Sequence, residues 1–310
     1  MKVPEIISSA NKNNWMHVFL VVNPIAASVS RLIKETYNLK ESNILTVSLR
    51  ETDSSIIDFN TMHLNDSLKN KILIKFFKSN PNTKKILNRI GKDNKFILYT
   101  SWAYKESSQL PSVGRLVSSS NCMGHLYIEE GQATYRASKP FSSNKSNRHN
   151  TLHAENLIDV YRDDAMGYIG LLPSAFPGVP ESKRFLLENI DTLKNFYEPK
   201  LNGVKTIGLT CAARRIKVDQ WEQMLQKIIN TMPNGGVIKL HPSFVANVKN
   251  KNRLIKIFEK IAPNSISICP DDVIIEIELL YETKTLIGSL TSLEIYADAF
   301  GSKFVGLDLY

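Results

Sequence analysis

Cysteine is scarce: Cys122, Cys211 and Cys269 are the only three in 310 residues, far apart and inside apolar, strand-like runs. An odd number at such spacing suggests neither a disulfide framework nor a zinc site and leaves them as small core residues. Long apolar runs are missing too. "HVFLVVNPIAASV" is broken at Asn23 and Pro24, well short of the roughly 18 apolar residues that a spanning helix needs. "MKVPEIISSANKNNW" has no apolar core of signal-peptide length, so a cytoplasmic location is expected. There is no zinc-finger spacing, RNP-type aromatic motif or GxxG clamp, which argues against nucleic acid as a partner.

What is present is ordinary globular material, 43% hydrophobic and 22% charged, in a length that suits one large domain or two of about 150 residues. The net charge of +9 calls for an anionic partner. Much of the excess lies in "SLKNKILIKFFKSNPNTKKILNRIGKDNK", where Lys71, Lys75 and Lys78 fall at helical spacing opposite Leu73, Phe76 and Phe77. That pattern suits an anionic membrane surface or a polyanionic substrate, and equally a solvated lysine face over a core-packed helix.

β-branched apolar runs of five to eight residues alternate with amphipathic stretches. The alternation is cleanest after residue 200: "VKTIGLTC", "DQWEQMLQKIIN", "GGVIKLHP", "KNRLIKIFEKI", "SISIC", "DDVIIEIELLY", "KTLIGS", "TSLEIYADAF", "KFVGLDL". Strands alternating with helices predict parallel sheets covered on both faces. "LLPSAFPGVPESKR" concentrates Pro173, Pro177, Gly178 and Pro180, which forbids a continuing helix or central strand. Two α/β domains, 1–178 and 179–310, are therefore expected. The polar stretch "SKPFSSNKSNRHNT" reads as a loop beside a site.

In parallel sheets ligands bind beyond the carboxyl ends of strands, and three such ends are unusual. The first is Glu129, Glu130 and Gly131 after an apolar run. Adjacent strand residues point to opposite sides, so one acid at most faces a cleft, where it could act as a general base; a solvated strand end is the plainer reading. The second is His241 before Pro242, whose ring holds the preceding residue extended and the imidazole at the strand tip. The third is Gly288, Ser289, Thr291 and Ser292 leading into a helix, an arrangement suited to an anion at the helix start as well as to capping.

In this order the three ends resemble the signatures of bacterial two-domain GT-B sialyltransferases of the lipooligosaccharide and capsular polysialyltransferase type: a D/E-D/E-G motif, a His-Pro motif and a Ser/Thr-Ser pair. "VFLVVNPIAASVSRLI" is similar to the first strand and Pro-containing turn of those families. The resemblance implies two Rossmann-like domains with parallel sheets facing a central cleft, the first binding a glycan acceptor and carrying the base, the second binding a CMP-sugar. It implies an inverting transfer of sialic acid from CMP-sialic acid to a bacterial surface glycan, with Glu129 as base and Glu130, Gly131 and Pro242 as support. His241 would act on the departing phosphate; Gly288, Ser289, Thr291 and Ser292 would hold it. Glu276, or Glu278 close behind, would bind the ribose. No cofactor or metal is implied, and Asp163 and Asp164 lack Asp-x-Asp spacing. The competing expectations are a CMP-Kdo transferase and a basic membrane-surface or polyanion-binding protein with a degenerate GT-B fold. Lipid-linked acceptors would place the chain peripherally on the inner membrane face.

Overall fold

The computed structural model describes residues 2–48, 56–57, 59–64, 80–101, 111–135, 164–289 and 291–309. Lys71, Lys75, Lys78, Asp163 and the stretch 138–151 lie outside them. The chain divides into two compact units, Met1–Phe196 and Tyr197–Tyr310.

The strands of the first unit are β1 (Met16–Val21), β2 (Ile44–Ser48), β3 (Thr61–His63), β4 (Phe96–Thr100), β5 (Cys122–Ile128), β6 (Gly167–Gly170) and β7 (Arg184–Leu186). All pair in parallel, in the order β3-β2-β1-β4-β5-β6-β7. β2 and β4 are buried at every position and β1 at all but its first, because a parallel sheet with both faces covered demands apolar residues rather than alternation. After β1 the chain turns at once into the helix Pro24–Thr36. Asn23 caps it, its Oδ1 accepting the Ala26 N–H at 2.9 Å, and Pro24 occupies the first helical position, where a missing N–H costs nothing.

The second unit has β8 (Thr206–Leu209), β9 (Gly236–Lys239), β10 (Ile266–Ile268), β11 (Thr285–Gly288) and β12 (Lys303–Gly306), again all parallel, in the order β10-β9-β8-β11-β12. Its core joins Trp221, Met224, Leu225 and Ile228 of the helix Trp221–Asn230 to Ile238, Phe244, Leu254 and Ile287. The rings of Trp221 and Phe244 meet edge to face at 5.0 Å, a favoured aromatic geometry. Both orders begin at a central strand, run outward on one side and return to the other, which is the Rossmann pattern with a switch point at β1/β4 and at β8/β11.

The expected boundary at residue 178 is corrected. The proline-rich loop is irregular, as its composition requires, but both its ends stay in the first unit: β7 adds to β6 in parallel, Tyr168 beside Arg184 and Ile169 beside Phe185. The 3-10 segment Ile190–Phe196 then returns to the Pro24–Thr36 helix, with the Arg31 guanidinium 3.5 Å from the Phe196 ring centroid. Proline density marks loss of regular structure, not loss of attachment.

Candidate functional site

In the first unit the acidic turn follows β5. Glu129 is 0% exposed. Its Oε2 accepts the Leu171 N–H at 2.6 Å and its Oε1 the Tyr135 hydroxyl, while its own N–H donates to the Ile169 carbonyl at 2.9 Å. A carboxylate enclosed in this way anchors the backbone of the loop beyond β6. Glu130 points the other way, as strand alternation requires. Asn23 Nδ2 donates to its backbone carbonyl at 2.5 Å and to its Oε2 at 3.1 Å, which sets the acid beside the start of the Pro24–Thr36 helix, where negative charge is favoured. Gly131 takes φ +114, a conformation that L side chains rarely adopt, and its carbonyl accepts the Thr134 N–H at 2.9 Å. Thr134 Oγ1 in turn accepts the Glu130 N–H at 3.1 Å.

In the second unit the candidate residues gather at the carboxyl edge of β9, β8 and β11, around the switch point. His241 stands two residues beyond β9 and caps the short helix Pro242–Val245. Its N–H donates to Thr210 Oγ1 at 2.8 Å, tying it to the end of β8. Its Nδ1 accepts the Ser243 N–H at 3.1 Å and lies 2.9 Å from Ser243 Oγ, which accepts the Ala213 N–H at 2.8 Å. A backbone N–H cannot accept, so Nδ1 carries the lone pair and the neutral ring holds its proton on Nε2. Ser243 and Thr210 were not singled out from the sequence; a hydroxyl two residues after a His-Pro pair was the available signal.

One strand further on, Gly288 pairs with Leu209, and a Cβ on Gly288 would approach the Leu209 carbonyl oxygen to 2.6 Å, so this strand end requires glycine. Ser289 follows, 7% exposed. Thr291 caps the eight-residue helix Ser292–Ala299, its Oγ1 accepting the Leu293 N–H at 3.0 Å. Among the described residues the Ser289 and Ser292 hydroxyls make no hydrogen bond. The turn after β8 exposes Arg214 and Arg215, which were not singled out from the sequence.

Glu276 and Glu278 part company. Glu278 is 1% exposed; its Oε1 accepts the Tyr197 hydroxyl and the Lys200 N–H, both at 2.7 Å, and its Oε2 the Leu201 N–H at 3.2 Å. Burial pushes the Tyr197 hydroxyl well above its ordinary pKa. Glu278 is thereby occupied within the fold, while Glu276 is half-buried in the first turn of the helix Ile275–Tyr281.

No protein-family model matches the chain, and no curated protein is similar to it in sequence. Solved structures are similar in fold. The S. aureus MnaA–UDP co-structure shares 12% identity over 94% of this chain and 79% of its own, with a TM-score of 0.59. A Neisseria meningitidis UDP-GlcNAc 2-epimerase bound to UDP-GlcNAc shares 13% over 94% and 82%, at 0.53. A Rickettsia bellii UDP-N-acetylglucosamine 2-epimerase shares 12% over 95% and 79%, at 0.50. With two all-parallel α/β units, this is a GT-B fold.

The sialyltransferase resemblance is corrected by the same finding: the similar structures are UDP-GlcNAc 2-epimerases and UDP complexes, not enzymes of CMP-sialic acid. The CMP-Kdo and polyanion-binding alternatives fit no better. The physical reason lies in the motifs themselves. Glu129 is taken up by Leu171 and Tyr135, and His241 and Thr291 each cap a helix, so each of these residue types has a structural use at a strand end that is independent of any donor. Among the described residues no helix is long and apolar enough to cross a membrane. Peripheral attachment through Lys71, Lys75 and Lys78 concerns residues outside the described ones.

Proposed function

We propose that this chain is a sugar-nucleotide enzyme acting on a glycosyl group, with the nucleotide's phosphates held at the β8/β11 carboxyl edge of the second unit and with UDP as the nucleotide. The observation that carries the reading is the cluster at that switch point. Ser289 and Ser292 offer unused hydroxyls at the start of a helix, and His241 is held with its proton on Nε2 by Ser243. Helix N–H groups and the positive end of the helix dipole favour anionic oxygens, and an imidazole N–H donates to the oxygen that gains charge as the glycosyl bond breaks. The UDP and UDP-GlcNAc bound in the similar structures support uridine diphosphate over cytidine monophosphate.

Titration calorimetry with UDP and CMP tests the reading directly. UDP is expected to bind at least tenfold tighter than CMP, and Ser292→Ala to weaken UDP. NMR of the chain with UDP-GlcNAc then separates an altered sugar still joined to UDP, which means epimerisation, from UDP release, which means transfer or hydrolysis. Absence of UDP binding would sink the proposal.

A further inference from the structure

β6 and β7 carry a second feature, one that the nucleotide reading leaves unused. Their register sets Tyr168 beside Arg184 and Gly170 beside Leu186, so these four positions share one sheet face. The loop after β6 folds back over that face. Between loop and sheet lies a cavity of about 220 Å³, bordered on the loop side by Leu172, Pro173, Ala175 and Phe176 and on the other by Glu181, Arg184 and Phe185. Its volume is roughly that of seven water molecules, enough for one six-membered ring and a carboxylate.

Two observations bear on what this pocket could hold. Arg184 borders it, and its guanidinium makes no hydrogen bond or ion pair among the described residues. A planar guanidinium fork matches a carboxylate. The covering loop is also fixed in place. Phe176 is held at φ +56, a conformation rare for a bulky residue, by its N–H donating to the Thr134 carbonyl at 2.8 Å and by edge contact with the Tyr168 ring at 5.4 Å. The Leu171 N–H is fixed on Glu129. Strain of this kind persists where the surroundings over-determine it, and it clusters at ligand sites.

We propose that this cavity binds a small organic monocarboxylate, the carboxylate on Arg184 and the apolar body against Tyr168, Leu172, Ala175 and Phe176. The Glu181 carboxylate at the rim repels a second negative charge, which selects such a ligand over phosphate.

Benzoate serves as probe for the full-length chain, with benzyl alcohol as its uncharged counterpart and inorganic phosphate as competitor, read by calorimetry. Benzoate is expected to bind at one site, benzyl alcohol at least tenfold more weakly, and phosphate not to displace benzoate. Arg184→Leu on this edge strand should lose tenfold or more in benzoate affinity while UDP affinity and the unfolding midpoint stay unchanged. Should that variant melt early, Glu181→Gln at the exposed rim gives the answer: benzoate affinity is kept and phosphate begins to compete. Equal binding of benzoate and benzyl alcohol, an Arg184→Leu variant that binds like the parent, or displacement by phosphate in the parent overturns the proposal.

Discussion

Each unit buries one glutamate against a tyrosine hydroxyl and backbone N–H groups: Glu129 with Tyr135 and Leu171, Glu278 with Tyr197, Lys200 and Leu201. The chemistry is the same, but the first holds the loop beyond β6 and the second holds the segment that opens the second unit. The carboxyl edges then differ. In the first unit Glu130 is bonded by Asn23 and bonds in turn to Thr134; in the second, hydroxyls remain unused beside a histidine of defined tautomer. A polar side chain that satisfies its own backbone stabilises the fold, and one left over at a strand end is available to a ligand.

The largest expected effect breaks the anchor in the second unit. Glu278→Ala strands three donors in the interior and should cost about 3–5 kcal/mol, seen in urea melts and as early hydrogen exchange confined to residues 197–310. Exchange that rises equally in both units would refute the local anchor.

Next comes a pH effect belonging to the first unit. His17 is 0% exposed, its Nδ1 2.8 Å from the Tyr99 hydroxyl, and burial lowers its pKa from 6.5 to about 4. The unfolded chain binds that proton below 6.5 and the folded chain only below about 4. His17 therefore opposes folding increasingly as pH falls through that window, by roughly 3 kcal/mol at its end. Unfolding midpoints at pH 7, 5.5 and 4 should show this dependence in the parent, and His17→Phe should flatten it.

Glu129→Ala strands two donors and should cost roughly 2–3 kcal/mol. Glu129→Gln, which keeps one acceptor, sharpens the comparison: a lower unfolding midpoint is expected, whereas full stability with all turnover lost would favour the catalytic reading of this acid.

The smallest effect concerns the second unit's edge. On the proposed sugar-nucleotide function, Ser243→Ala should reduce turnover of UDP-GlcNAc about tenfold, a loss of the order of one hydrogen bond, and change its pH profile, with Ser243→Thr restoring both. A profile unchanged in Ser243→Ala would mean that Ser243 only supports the turn.

The alternation of strands and helices was legible in the sequence because parallel strands buried on both faces appear as unbroken apolar runs. That Glu129 and Glu130 face opposite ways was legible too, since strand geometry requires it. Which of them is enclosed was not, because β6 and its loop decide that. The density of Pro173, Pro177 and Pro180 misplaced the boundary, since pairing of Arg184–Leu186 with β6 has no local signature. Short motifs at three strand ends misplaced the donor, since each residue type also serves as a cap or an anchor.

Composition and periodicity thus determined two parallel α/β units and the polar residues at their strand ends, because burial period and chain stiffness act over a few residues. Tertiary structure decided which of those polar groups are used up. Glu129 reaches Leu171 across 42 positions of chain, Glu278 reaches Tyr197 across 81 and Asn23 reaches Glu130 across 107, and a hydrogen bond over that distance exists only once the sheets have formed.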